Sequence, residues 1–130
     1  MRTKKLFFLG AAFLLSAALA AQPKPWVIPD NFKAMKNPIA KSDASSKAGM
    51  ALYTKNCASC HGKTGVGDGV KARSIKTNPG DFSKPVFQNL ADGEIFYKTK
   101  NGRDDMPKYE GKLADEDIWN VVNYMRTLKK

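Results

Sequence analysis

The chain has 130 residues, and 22 basic against 12 acidic side chains give it a formal charge of +10. A chain of this length folds as one small domain and excludes two comfortable ones, and its positive field selects acidic partners by long-range steering. No basic motif with base-reading architecture accompanies the charge, so nucleic acid is excluded from the expected partners.

The first segment reads as an export leader. Arg2, Lys4 and Lys5 precede an apolar run over residues 6–15, and a small-residue stretch follows at residues 16–21. Ala18 and Ala20 supply an A-x-A pattern that puts cleavage after Ala20. The apolar run is short for a membrane span, so no stable membrane insertion is expected once residues 1–20 are removed. No cysteine lies near the cut to carry a lipid. Loss of Arg2, Lys4 and Lys5 lowers the formal charge from +10 to +7 over the remaining 110 residues.

Residues 21–44 place Pro23, Pro25, Pro29 and Pro38 among lysines, which predicts an irregular arm pinned to the domain by Trp26, Val27 and Ile28. A helix is expected from residue 43 or 45 to about 56, with Ala48, Ala51 and Leu52 on one side. Residues 62–91 carry Gly62, Gly65, Gly67, Gly69, Gly80, Pro79 and Pro85. A compact domain keeps so long a loop for a functional reason, and wrapping a flat cofactor is one. Residues 92–100 read as a short helix, with Asp92 as cap, Asn101-Gly102 as stop signal, and Ile95, Phe96 and Thr99 facing inward. The last helix is the clearest, because Ile118, Val121, Val122, Met125 and Leu128 form one apolar stripe at helical spacing. Asp115, Glu116 and Asp117 lie at its positive end, and Arg126, Lys129 and Lys130 at its negative end. No strand and no internal repeat is expected.

Cys57-Ala58-Ser59-Cys60-His61 is a C-x-x-C-H sequence, the haem attachment pattern, and His61 is the only histidine. Two thiols three positions apart can each add to one haem vinyl group, and the adjacent imidazole then projects from the same turn toward the iron. A thioredoxin-like pair would need a surrounding βαβ pattern and gives the histidine no role. Zinc would need a fourth ligand that no further Cys or His supplies. A plain disulfide needs no histidine. The cofactor expected is one covalently bound haem c with its iron, held at Cys57 and Cys60 and ligated by His61.

A sixth iron ligand must then come from Met35, Met50, Met106 or Met125. Met50 is too near the motif on its own helix to cross to the opposite haem face, and Met125 belongs to the apolar stripe, where a methionine packs as core. Met106 sits in a loop between two helices and is followed by Pro107, which stiffens that loop. Met35, in the arm, stays open on the residues alone.

Residues 45–130 resemble the class I c-type cytochromes, particularly the small bacterial single-haem members. The resemblance rests on Gly49 and Tyr53 before the motif, the run C-H-G-K-T-G-V-G-D-G from Cys60 to Gly69, Asn101-Gly102 followed by Met106-Pro107, and Trp119 and Tyr124 in the last helix. It implies an all-α fold, a small class I cytochrome c helical domain wrapped around one covalent haem, preceded by the irregular N-terminal arm. It also implies that the first and last helices cross at Gly49 with Tyr53 and Trp119 beside them, and that Met106 is the sixth ligand. Where related chains have Gly-Pro after the glycine-rich run, this one has Gly69-Val70, so the carbonyl that orients the imidazole is not assigned. A serine cap common on the last helix is replaced by Ala114. Phe82, Phe87, Phe96 and Tyr109 are candidates for the crevice lining.

With two protein ligands on the iron, the implied function is one-electron transfer rather than oxygen or peroxide chemistry, and a thioether ligand raises the potential. The expected setting is the bacterial periplasm. The expected partners are redox proteins with acidic docking surfaces, membrane respiratory complexes among them, met by a monomer or by a subunit of a complex. Two rivals follow from the same residues: a haem subunit of a larger periplasmic oxidoreductase, and a ligand-binding or peroxidatic haem protein.

Overall fold

A computed structural model describes residues 24–130, and the leader expected at residues 1–20 lies outside the described residues. Seven short elements follow in order: α1 (Asp30–Lys33), α2 (Asp43–Asn56), α3 (Ala58–His61), a 3₁₀ turn (Ala72–Ser74), α4 (Pro85–Gln88), α5 (Asp92–Asn101) and α6 (Asp115–Arg126). Among the described residues there is no strand beyond two isolated bridges, so the all-α expectation holds.

α2 starts where it does because Ser42 and Ser45 cap each other. Ser45 N donates to Ser42 Oγ, and Ser42 N donates to Ser45 Oγ, both at 3.1 Å, which satisfies two otherwise orphan amides. Its buried face is Ser45, Gly49 and Tyr53 rather than the expected Ala48 and Ala51, which are exposed, with Leu52 half-buried. The reason is the crossing with α6: a Cβ on Gly49 would overlap the Asn120 carbonyl and stand 2.9 Å from Tyr124 Cβ. Only a residue without a side chain lets the two backbones come so close.

α6 turns its stripe inward as expected, with Ile118, Val121, Val122 and Met125 all buried, while Leu128 lies just beyond the helix. Ala114 makes no side-chain cap there, and Asp115, Glu116 and Asp117 occupy the first turn, where the helix dipole favours them. α5 buries Ile95, Phe96 and Thr99 and ends at Gly102 with φ +60°. Asp92 is not its cap: Glu94 Oε2 accepts from Ala91 N at 2.7 Å, and Asp92 pairs with Arg126 at 2.7 Å. Phe96 stacks on Trp119 with ring centroids 4.1 Å apart, at the centre of the core.

The arm gains one helical turn that its prolines did not announce, because the Pro29 carbonyl accepts from Phe32 N (3.0 Å) and Lys33 N (3.2 Å). Phe32 then meets Tyr97 of α5 edge-on at 4.9 Å. Ile28 is buried and Trp26 half-buried, whereas Val27 is 89% exposed and pins nothing. Asn123 of α6 holds the end of the arm, donating to the Ile39 carbonyl (3.1 Å) and accepting from Asn37 Nδ2 (2.9 Å).

Candidate cofactor site

The motif sits on a turn built directly onto α2. Cys57 N donates to Tyr53 O at 2.8 Å, closing α2, and Cys60 N and His61 N both donate to Cys57 O, at 3.1 and 3.0 Å, closing α3. Both thiols and the imidazole therefore belong to one turn. The glycine-rich loop wraps this turn and satisfies its carbonyls: Gly67 N reaches His61 O (2.8 Å), Gly69 N reaches Cys60 O (3.2 Å) and Lys71 N reaches Ser59 O (2.8 Å). A Cβ on Gly69 would overlap the Ser59 carbonyl, so that approach requires glycine. The buried Tyr53 hydroxyl donates to Gly62 O at 2.8 Å and locks the exit from the turn.

Cys57, Cys60 and His61 open onto a cavity of about 810 Å³ whose lining also includes Met106. Phe82, Phe87, Leu90, Ile95 and Tyr109 supply much of its apolar lining. Phe96, expected in that lining, belongs to the core instead, because its ring is taken by Trp119. The Phe82 ring packs 4.5 Å from the imidazole and 4.3 Å from Phe87, forming one aromatic wall. Tyr109 donates to Asn56 O at 2.6 Å, and burial pushes its hydroxyl up to about 12.

Burial holds the His61 pKa below its usual value and favours the neutral imidazole, the form that ligates metal, while the Pro79 carbonyl pulls more weakly the other way. That carbonyl faces the ring without completing a hydrogen bond, and Nδ1 is fully buried with no partner. Pro79 thus supplies the backbone carbonyl that faces the imidazole, while the ring nitrogen itself stays unpartnered. The Cys57 thiol is pushed up to about 12, first by burial and then by Cys60, the reverse of the depressed values that activate a redox dithiol. Among the described residues no group of three or more His, Cys, Asp or Glu side chains is arranged to hold a bare metal ion.

The methionines separate by position. Met106 is half-buried on a tight loop in which Arg103 and Met106 exchange two backbone hydrogen bonds of 2.9 Å. Asp105 anchors the loop by accepting from Lys76 N (2.9 Å) and Thr77 N (2.8 Å). Met35 lies against Gly93 at the start of α5, Met125 is in the core, and Met50 is 46% exposed on α2. None of these three lines the cavity. Trp26, Lys98 and Arg103, to which the sequence assigned no site, do line it. Arg103 and Lys98 carried no signal beyond charge, which usually means a solvated side chain. An apolar cavity of this size with two thiols, an unpartnered imidazole nitrogen and a thioether on its walls fits a haem.

Residues 44–125 match the family model described as cytochrome c oxidase, cbb3-type, subunit III. Cytochrome c6 of Picosynechococcus sp. is 32% identical, with 63% of this chain and 72% of that protein covered. Cytochrome c6 of Gracilaria tenuistipitata var. liui is 34% identical, with 63% and 71% covered. Among solved structures, the c-type cytochrome KustC0563 aligns over 63% of this chain and 98% of its own length, with a TM-score of 0.56 and 26% identity. A chain of the Kuenenia stuttgartiensis reducing HAO-like protein complex shares the fold at TM-score 0.65 and 22% identity; the alignment takes in 85% of this chain and 53% of that one. Since the family match runs through the Cys57–His61 turn, the aromatic wall and the Met106 loop alike, the chain belongs to the cbb3-type subunit III family of cytochromes c and is a small c-type cytochrome with covalently bound haem c.

Proposed function

We propose that this electron carrier holds its haem through thioether bonds at Cys57 and Cys60 and ligates the iron with His61 and Met106. The observation that carries the ligand set is the cavity lining: of Met35, Met50, Met106 and Met125, only Met106 shares a cavity with Cys57, Cys60 and His61. When bound, the haem supplies a one-electron couple at iron, and a thioether ligand raises its potential. The chain's own residues do the rest. Phe82 packs against the imidazole, Asp105 and Pro107 hold the methionine loop, and Phe87, Leu90 and Ile95 keep water from the crevice.

The relatives named cytochrome c6 support an electron carrier, and the leader pattern expected at residues 1–20 supports export to the periplasm. Among the described residues no helix is long and apolar enough to cross a membrane. The excess of basic residues supports partners with acidic docking surfaces. The family description as an oxidase subunit favours a second reading, a haem subunit docked on a larger oxidoreductase. Stoichiometric co-purification with such a complex distinguishes the two.

The attachment is tested with exported protein on a denaturing gel. Haem is expected to stay with the polypeptide and to resist extraction by acidic acetone, and Cys57→Ser or Cys60→Ser is expected to leave at most one thioether and little holoprotein. Complete extraction from the unmodified protein would overturn the assignment.

A further inference from the structure

The family match begins at residue 44, yet the arm before it forms part of the cavity wall. Trp26 is half-buried there, with the Arg103 guanidinium carbon 4.4 Å and Lys98 Nζ 5.9 Å from its ring centroid. Both are cation–π distances, and both cations come from the domain rather than the arm. Arg103 also donates from Nη1 to the Pro25 carbonyl at 3.2 Å, so the arm grips it through a ring and a backbone acceptor. Its side chain is only 28% exposed, and its one ion pair is to Asp104 at 3.2 Å. Lys98 has no ion-pair partner among the described residues. Burial holds its amine below the usual lysine range, with Glu94 opposing weakly.

Half-buried cations facing a largely apolar cavity are costly unless an anion meets them there. The carboxylates already lining the cavity are engaged elsewhere, Asp81 with Ser83 and Asp105 with the Lys76 and Thr77 amides. A haem brings two propionate carboxylates, both ionised at neutral pH. We propose that Arg103 and Lys98, carried on Trp26 of the N-terminal arm, form the site for the haem's carboxylates, which makes the arm a wall of the crevice and a determinant of the reduction potential. The proposal rests on the cavity being the haem's seat. An acidic partner protein is the weaker candidate, because freely exposed lysines such as Lys47 and Lys55 suit docking better than cations enclosed with the cofactor.

The electrostatic consequence has a fixed sign. Reduction adds one negative charge at the iron, so nearby cations favour the ferrous state and their removal favours the ferric one. The test is equilibrium redox titration of the purified holoprotein and four variants: Arg103→Gln, Lys98→Gln, Arg103→Lys and Trp26→Ala. Lys47→Gln, an exposed charge outside the cavity, is the reference. At fixed ambient potential the ferrous-to-ferric ratio is expected to fall about threefold or more in each Gln variant and in Trp26→Ala, and to stay near the unmodified value in Arg103→Lys. Haem retention on a denaturing gel and the ferric far-red band are followed in parallel. Loss of haem from the unmodified protein would overturn the seat itself, and absence of the band would overturn its methionine ligand. If both persist while neither Gln variant moves the potential further than Lys47→Gln, the carboxylates lie elsewhere and this proposal falls. A Trp26→Ala variant that melts earlier at an unchanged potential would reduce the tryptophan to packing and contradict the arm's part in it. Lys98→Gln keeps the test decisive should Arg103→Gln disturb the Met106 loop, since Lys98 lies on α5.

Discussion

Asn123 is 1% exposed and uses its whole amide to join three segments: Nδ2 donates to Ile39 O and to Ser45 Oγ at 3.2 Å, and Oδ1 accepts from Asn37. Asn123→Leu keeps the volume and leaves those groups unpaired, so holoprotein stability is expected to fall by about 1–3 kcal/mol in denaturant titration, with an unchanged visible spectrum. Gly49→Ala would force α2 off α6, and overpacking of this kind costs about 1–3 kcal/mol, read as an earlier thermal midpoint. Arg126, expected at the helix end for its charge, instead binds Asp92 and the carbonyls of Gln88 and Leu90 across the α4–α5 junction. These residues mark where sequence reading stops. A polar residue in an amphipathic helix reads as solvated, and only the tertiary partner, remote in sequence, turns it inward. Cys57, Cys60 and His61 stood out as candidates in the sequence because the chemistry proposed for them is local to five positions. The Pro79 carbonyl facing the ring did not, because a backbone carbonyl has no residue-type signature.

At the scale of elements, α6 was legible because its apolar spacing is unbroken from Ile118 to Met125, and α5 because Asn101-Gly102 stops it. The limits of α2 were legible from composition, but its buried face was not. A tight crossing selects Ser, Gly and aromatic residues at successive turns, while hydrophobic periodicity pointed to alanines that meet only solvent. In the loop between α3 and α5, Asp81 accepts from Ser83 N (2.9 Å) and Ser83 Oγ (2.6 Å), which lowers its pKa below 3.8 and holds Phe82 against the imidazole. A depressed carboxylate contributes stability that is full above its unfolded value and is lost as pH falls through the lower folded one. Asp81→Asn is therefore expected to flatten the acid limb of the stability profile below about pH 4 while leaving the profile's shape near neutrality alone, as measured by melts across pH.

For the whole molecule, residues 24–130 retain a formal charge of +7, since the three basic residues that come off the full +10 all precede residue 24. Two ionised propionates would leave about +5. Electron transfer with an acidic partner is accordingly expected to slow as ionic strength rises, measured by stopped flow; a flat or rising rate would reduce the charge to solvation. The all-α architecture was legible because short capped helices and a glycine-rich loop leave no room for a sheet, and the arm's part in the cavity was not, because a proline-rich segment carries no contact pattern.

In the proposed ligation, the cavity lined by α3 and the Met106 loop seats a haem whose iron is bound from both sides by this chain. The ferric far-red absorption band, which reports the iron–thioether bond, tests that ligation when recorded in Met106→Ala and Met35→Ala holoprotein. The band is expected to vanish in Met106→Ala, with conversion toward a high-spin or water-ligated spectrum and a lower potential, and to persist in Met35→Ala. A band that survives in Met106→Ala and disappears in Met35→Ala would put the ligand in the arm and contradict the account of both segments.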